Sequence, residues 1–150
     1  MAGNDVTFTF NPNTEAPSEQ LNINFKDLVA CLRLLGAGES SPTEITGDQN
    51  DFSTVGSDSN NVGVLRLTSD ASRTITGFAG GELGRFLLVF NVGSNNIVLA
   101  NQSASSTAAN RIITGTSANL TVGADDVVAL YYDSTTTRWR VYSFSDSLWG

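Results

Sequence analysis

The stretch Ala109-Asn110-Arg111-Ile112-Ile113-Thr114-Gly115, followed by Asn119-Leu120-Thr121-Val122, Val127-Val128-Ala129-Leu130-Tyr131-Tyr132 and Arg138-Trp139-Arg140-Val141-Tyr142-Ser143-Phe144, decides the fold. Short apolar and β-branched runs alternate with glycine and Asx-rich punctuation, which is the pattern of strands and turns. Working back towards the N-terminus, the same plan continues. Val62 to Thr68, Arg73 to Phe78, Phe86 to Val92 and Ile97 to Leu99 read as strands. Phe86 to Val92 is nearly all apolar and reads as a central strand covered on both faces. Gly93-Ser94-Asn95-Asn96 reads as a hairpin turn, and the glycines at 77, 80, 81 and 84 as a loop with room for positive φ. About eight or nine short strands with regular turn signals predict an all-β sandwich or barrel. Arg73-Thr74-Ile75-Thr76-Gly77 matches Arg111-Ile112-Ile113-Thr114-Gly115 at a separation of 111 − 73 = 38 positions. Each match precedes a glycine (Gly84, Gly123) that opens an apolar strand, so a scaffold built twice is expected, as in a jelly roll with its two Greek keys.

Residues 1–61 read differently from residues 62–150, the predicted β-sandwich domain. Val6-Thr7-Phe8-Thr9-Phe10 alternates at period two and predicts a strand-forming arm. Phe25, Leu28, Val29, Leu32 and Leu35 fall on one face of a helix, with Asn24 at its N-cap and Gly36 past its end. A helix this short is marginal alone and must pack on something. Gly36 to Asn61 reads as a long irregular connection.

The composition narrows the function classes. Of 150 residues, only 15% are charged while 40% are hydrophobic, enough for one domain with a real core. The net charge of −7, a single lysine (Lys26) and scattered arginines argue against nucleic acid as a partner. Cys31, the one cysteine, sits in the apolar run Leu28 to Leu32 and reads as a buried thiol without a disulfide partner. Met1 to Asp5 lacks a basic or apolar leader and no apolar run is long enough to span a bilayer, so neither secretion nor a membrane is expected.

No fragment rises to an active site. The chain has no histidine, which removes the commonest general base and most zinc sites. Gly36-Ala37-Gly38-Glu39-Ser40-Ser41 lacks the strand and third glycine of a dinucleotide loop and reads as a helix stop. Asp58 begins like an EF-hand loop, but Val62 and Ser69 stand where ligands belong. Asp125-Asp126 reads as a tight turn rather than an acid pair. Strand alternation places Trp139 and Val141 on one face of the last strand, with Arg138, Arg140 and Tyr142 on the other. Trp139 then anchors the core and the arginines face solvent or a neighbouring subunit; alternatively Tyr131, Trp139 and Tyr142 form a glycan-stacking surface. Trp149, a large apolar group beside the last residue, predicts an intersubunit contact. No enzyme and no cofactor are expected.

Phe78 to Leu99, Ser105 to Arg111, and Val127 to Tyr142 with Asp133 and Arg138-Trp139-Arg140 together resemble a β domain recurring in tailed-bacteriophage virion proteins. The shared plan is glycine, apolar strand, Asn-x-Gly-Ser, apolar strand, Ala-x-Asn-Arg, aliphatic-Tyr-Asp, Arg-Trp, and it covers about residues 62–145. The resemblance implies a jelly-roll-like homotrimer in a tail fibre or a capsid decoration. A fibre needs a long shaft, for which the Asn24–Leu35 helix is too short. An arm, a short apolar helix and a compact β domain suit a capsid decoration (cement) protein clamped onto the major capsid protein lattice on the virion surface. Its contacts are expected at Phe8, Phe10, Phe25, Leu28, Leu32, Leu35, Arg138, Arg140 and Trp149. By binding only the assembled shell, through three linked contacts, such a protein opposes shell opening.

Overall fold

A computed structural model describes residues 38–56 and 61–145. The predicted arm strand, the predicted helix with Cys31, and Trp149 lie outside those residues.

Among the described residues nine strands are present: β1 (Glu39–Ser40), β2 (Val64–Leu67), β3 (Arg73–Ile75), β4 (Phe86–Asn91), β5 (Ile97–Leu99), β6 (Ile112–Ile113), β7 (Leu120–Val122), β8 (Val127–Asp133) and β9 (Arg138–Ser145), with one 3-10 turn at Ala108–Asn110. They form a six-stranded sheet in the order β1-β2-β4-β8-β9-β6 and a three-stranded sheet in the order β3-β5-β7. The expected all-β, two-sheet body is therefore present. Its connectivity differs from the expectation. β2 and β4 pair in parallel with Val64 opposite Leu88, and β3 and β5 pair in parallel with Arg73 opposite Ile97. The two offsets agree, 88 − 64 = 97 − 73 = 24, so the β4–β5 lap from the large sheet to the small one lies on the β2–β3 lap without insertion. Parallel neighbours need a long crossover, and here each crossover is a strand of the other sheet with its turns.

Three readings of the sequence meet a different arrangement. The 38-residue recurrence does not mark equivalent places: Arg73–Ile75 lies in the small sheet, Ile112–Ile113 at an edge of the large one. Gly93–Asn96 is not a hairpin, because β4 and β5 belong to different sheets. A jelly roll is antiparallel throughout, whereas β1–β2, β2–β4, β3–β5 and β6–β9 are all parallel.

Residues 38–56, read in the sequence as connection, form a looser first lap. Glu39 pairs with Val64, and Ile45, Gln49 and Phe52 make parallel bridges to Ser69, Ile75 and Phe78. Ile45 enters the core and Phe52 packs against it. Few apolar residues mark this lap, since most of its length is turn held by backbone hydrogen bonds such as Gln49 N to Thr74 O at 2.8 Å. At the other end β7 and β8 run antiparallel to β5 and β4 and close the stack, and β9 then pairs antiparallel with β8.

The core lies between the sheets. Leu65, Leu67, Leu87, Val89, Val128, Leu130, Tyr132 and Trp139 come from the large sheet; Ile75, Ile97, Leu99 and Val122 from the small one. Alternation along each strand supplies them. Buried Asn91 ties the laps together at their turns: its Nδ2 donates to Asn95 O (2.8 Å) and Val122 O (2.9 Å), and its Oδ1 accepts from Gly93 N (3.1 Å). Gly80 and Gly84 do adopt positive φ, +79° and +71°. Gly81 serves a different need, because a Cβ there would stand 2.0 Å from Cε2 of Tyr132. Gly81→Ala is expected to destabilise the fold by about 1–3 kcal/mol through overpacking, read as a lower urea midpoint; an unchanged midpoint would mean that the loop yields freely.

Candidate functional site

The alternation that sends Leu87, Val89, Leu130 and Trp139 inward sends Phe86, Leu88, Tyr131, Arg138, Arg140 and Tyr142 to the outer face of the large sheet. Phe86 lies opposite Tyr131, and Tyr131 opposite Arg140. The register slips between Ala129 and Leu130, a bulge that leaves both Tyr142 and Ser143 exposed and returns Phe144 to the core. As a result Phe86, Tyr131 and Tyr142 cluster. Phe86 is 58% and Tyr142 63% exposed, with ring centroids 5.6 Å apart for Phe86–Tyr131 and 5.9 Å for Phe86–Tyr142. The rings are tilted by 48° and 83°, so they form a notch rather than a flat platform. The sequence reading of β4 as covered on both faces fails at Phe86.

Charge borders the notch. Arg140 Nε meets Asp133 Oδ2 at 2.7 Å, and Arg66 lies 3.6 Å from Glu39. Arg138 spends Nε on Gln102 Oε1 and Nη1 on the carbonyls of Thr136 and Thr137. It forms no ion pair among the described residues. Asp133 also organises the β8–β9 turn, accepting from Thr136 Oγ1 (2.8 Å), Thr135 N (3.0 Å) and Thr136 N (3.3 Å). The Thr136 hydroxyl, then Arg140, hold its pKa down at about 2, below the ordinary 3.8. Because the folded value is depressed, its stabilisation is complete above the unfolded pKa and disappears as pH falls through about 2. Asp133→Asn is expected to lower the melting temperature near neutral pH and to converge with the parent at the acid end. A constant gap across that range would contradict this.

Trp139 is a core residue. It is 0% exposed, its Nε1 donates to Phe78 O at 2.8 Å, and it meets Phe78 and Tyr132 edge-on at 6.4 and 5.3 Å. It is therefore removed from the glycan-stacking set, while Tyr131 and Tyr142 each pack against Phe86. Sequence reasoning missed two residues here. Phe86 was detectable, being out of phase with Leu87 in a strict alternation. Arg85 carried no signal: it is 4% exposed, donates to Thr54 Oγ1 (2.9 Å), Val62 O (2.6 Å) and Gly80 O, and lies 5.4 Å from the Trp139 ring centroid. Burial pulls its pKa down, opposed by the Glu82 carboxylate.

The other candidates resolve into structure. Asp126 is buried and its Oδ2 accepts from Gly123 N at 2.8 Å, as the tight-turn reading requires. Glu39 and Ser40 open the first lap as a strand. No group of three or more metal-ligating residues occurs among the described residues. No helix among them is long and apolar enough to cross a membrane. Phe8, Phe10, Phe25, Leu28, Leu32, Leu35 and Trp149, the remaining predicted contacts, lie outside the described residues, as does the start of the EF-hand-like stretch.

Fold and site define a mixed two-sheet β body with an exposed aromatic notch on its larger sheet. No family model, no curated protein and no solved structure matches the chain.

Proposed function

We propose that this chain is a phage virion structural protein, a capsid decoration protein that binds the assembled shell as a homotrimer and stabilises it. In this reading the module is jelly-roll-like in its two-sheet layering, though mixed in strand direction. The observation that carries the docking half of the proposal is the notch of Phe86, Tyr131 and Tyr142. Large rings left exposed on a well-packed sheet offer apolar area at little conformational cost, and aromatic and arginine side chains are the types enriched in protein interfaces. The virion assignment rests on the sequence resemblance. Binding the assembled state alone shifts the balance against opening, and three linked contacts raise avidity.

Purified protein added to shells lacking it should raise their resistance to heat; unchanged resistance would sink the proposal. Light scattering behind size-exclusion chromatography should give a trimer, and a clean monomer would count against that part.

A second reading, a tail-fibre module contacting host glycans, draws on Tyr131 and Tyr142 both packing against the exposed Phe86. The ring tilts favour the first reading, since a sugar face stacks best on a flat platform while a notch suits an inserted side chain. Glycan binding abolished by Tyr142→Ala would reverse that preference.

A further inference from the structure

We infer that the outer face of the six-stranded sheet recognises a protein surface carrying carboxylates around an apolar side chain, with Arg138 as the group that meets the carboxylate. This deepens the docking reading above and rests on it. Charge is distributed unevenly in the molecule. The strands of the large sheet hold three arginines (66, 138, 140) and two acids (Glu39, Asp133), a balance of 3 − 2 = +1. The other described residues hold seven acids and three arginines, 3 − 7 = −4, within a chain of net charge −7. Among the described residues, an acidic partner is thus repelled outside these strands and attracted at this face, which orients its approach.

Within the face the arginines differ. Arg66 and Arg140 already have carboxylates at 3.6 and 2.7 Å. Arg138 has only neutral oxygens, and its Nη2 has no partner among the described residues. Those bonds to Gln102, Thr136 and Thr137 fix the guanidinium in place, so a carboxylate meets a preorganised donor. Arg138, Arg140 and Tyr142 stand in one row on β9, with Tyr142 in the notch. Arg138 lies four residues, about 13 Å of strand, from Tyr142, so an apolar side chain in the notch brings to Arg138 an acid about four residues away on an extended partner segment.

The test uses the full chain and three labelled polymers: a random glutamate–tyrosine copolymer, polyglutamate and alginate, with binding followed by fluorescence anisotropy. The copolymer should bind more tightly than polyglutamate, and more weakly as salt rises. Arg138→Gln should weaken binding several-fold and flatten the salt dependence, Arg138→Lys should retain most of it, and thermal melts of all variants should match the parent. Tyr142→Ala should reduce the copolymer to the polyglutamate level. If Arg138→Gln binds like the parent while Tyr142→Ala does not, the carboxylate inference fails and the aromatic docking reading stands. If neither substitution matters, both fail. Alginate binding as tight as the copolymer would make the occupant an acidic glycan and overturn the inference.

Discussion

Replacing Arg85 with methionine is expected to destabilise the protein by about 3 kcal/mol, although the two side chains are similar in length. The guanidinium adds to the contacts among three pieces of chain: Thr54 in the first lap, Val62 at the start of the second and Gly80 in the loop before β4, which also meet through Val62 N to Thr54 O and Thr54 Oγ1 to Ala79 O, both at 2.8 Å. Methionine removes the donor from the Val62 carbonyl in a buried site and from the part-buried Gly80 carbonyl, at about 1–3 kcal/mol for a buried group left unpaired, while the Thr54 hydroxyl keeps its bond to Ala79 O. Part of that cost is offset, because the desolvated charge is removed as well. Lysine is expected to do little better. A single ammonium cannot reproduce the two-nitrogen fork that reaches Thr54, Gly80 and Val62 beside the Trp139 ring. Urea unfolding checks both substitutions. A midpoint for Arg85→Met equal to that of the parent would show that the laps are held by backbone pairing alone.

The second large effect belongs to Trp139. Trp139→Ala is expected to cost about 3–5 kcal/mol as a large-to-small core change, with the bond to Phe78 O lost in addition. Trp139→Phe should fall between the parent and alanine, since it refills part of the volume but leaves that carbonyl unpaired. Arg85 and Trp139 touch, so their effects should not add: the double substitution is expected to cost less than the sum. Strict additivity in a double-mutant cycle would mean that the guanidinium–indole contact contributes nothing. Glycan binding, if present, should survive any Trp139 substitution that still folds, because the ring is wholly buried.

The residues that announced themselves in the sequence did so through period-two alternation. Leu65 and Leu67, Leu87 and Val89, Val128 and Leu130, and Trp139 all face the core as that pattern requires. Alternation fixes which way a side chain points, not which strand lies beside it. That is why Gly93–Asn96 read as a hairpin: a Gly-Ser-Asn-Asn turn satisfies the backbone equally well when it passes the chain to the opposite sheet. The 24-residue lap left no repeated motif, because Val64 and Leu88, or Arg73 and Ile97, share a position in the stack without sharing a residue type. The Arg-x-Ile-Thr-Gly recurrence was visible for the opposite reason, sharing residues at places that do different work. Arg73 pairs with Asp70 at 2.7 Å, while Arg111 Nε donates to the carbonyl of Ser106. The first lap was hidden by its polarity, with only Ile45 and Phe52 reaching the core region.

The site was half legible. Arg138, Arg140 and Tyr142 were placed on the solvent side of β9 by alternation alone, and Tyr131 was already singled out. Phe86 joined them only through cross-strand pairing, and the bulge beside Ala129, which exposes Ser143 as well as Tyr142 and turns Phe144 inward, depends on a register that no local pattern encodes. Both are non-local facts. They turn three separate aromatic residues into one notch.

Occupancy on shells is the most direct measurement of the central claim. Parent protein and the Phe86→Ala/Tyr142→Ala double variant would be titrated onto shells stripped of the protein, after equal melting temperatures had shown that both are folded. The parent is predicted to saturate the lattice, while the double variant leaves it largely bare at the same concentration. Equal occupancy by the two proteins would contradict docking through this face.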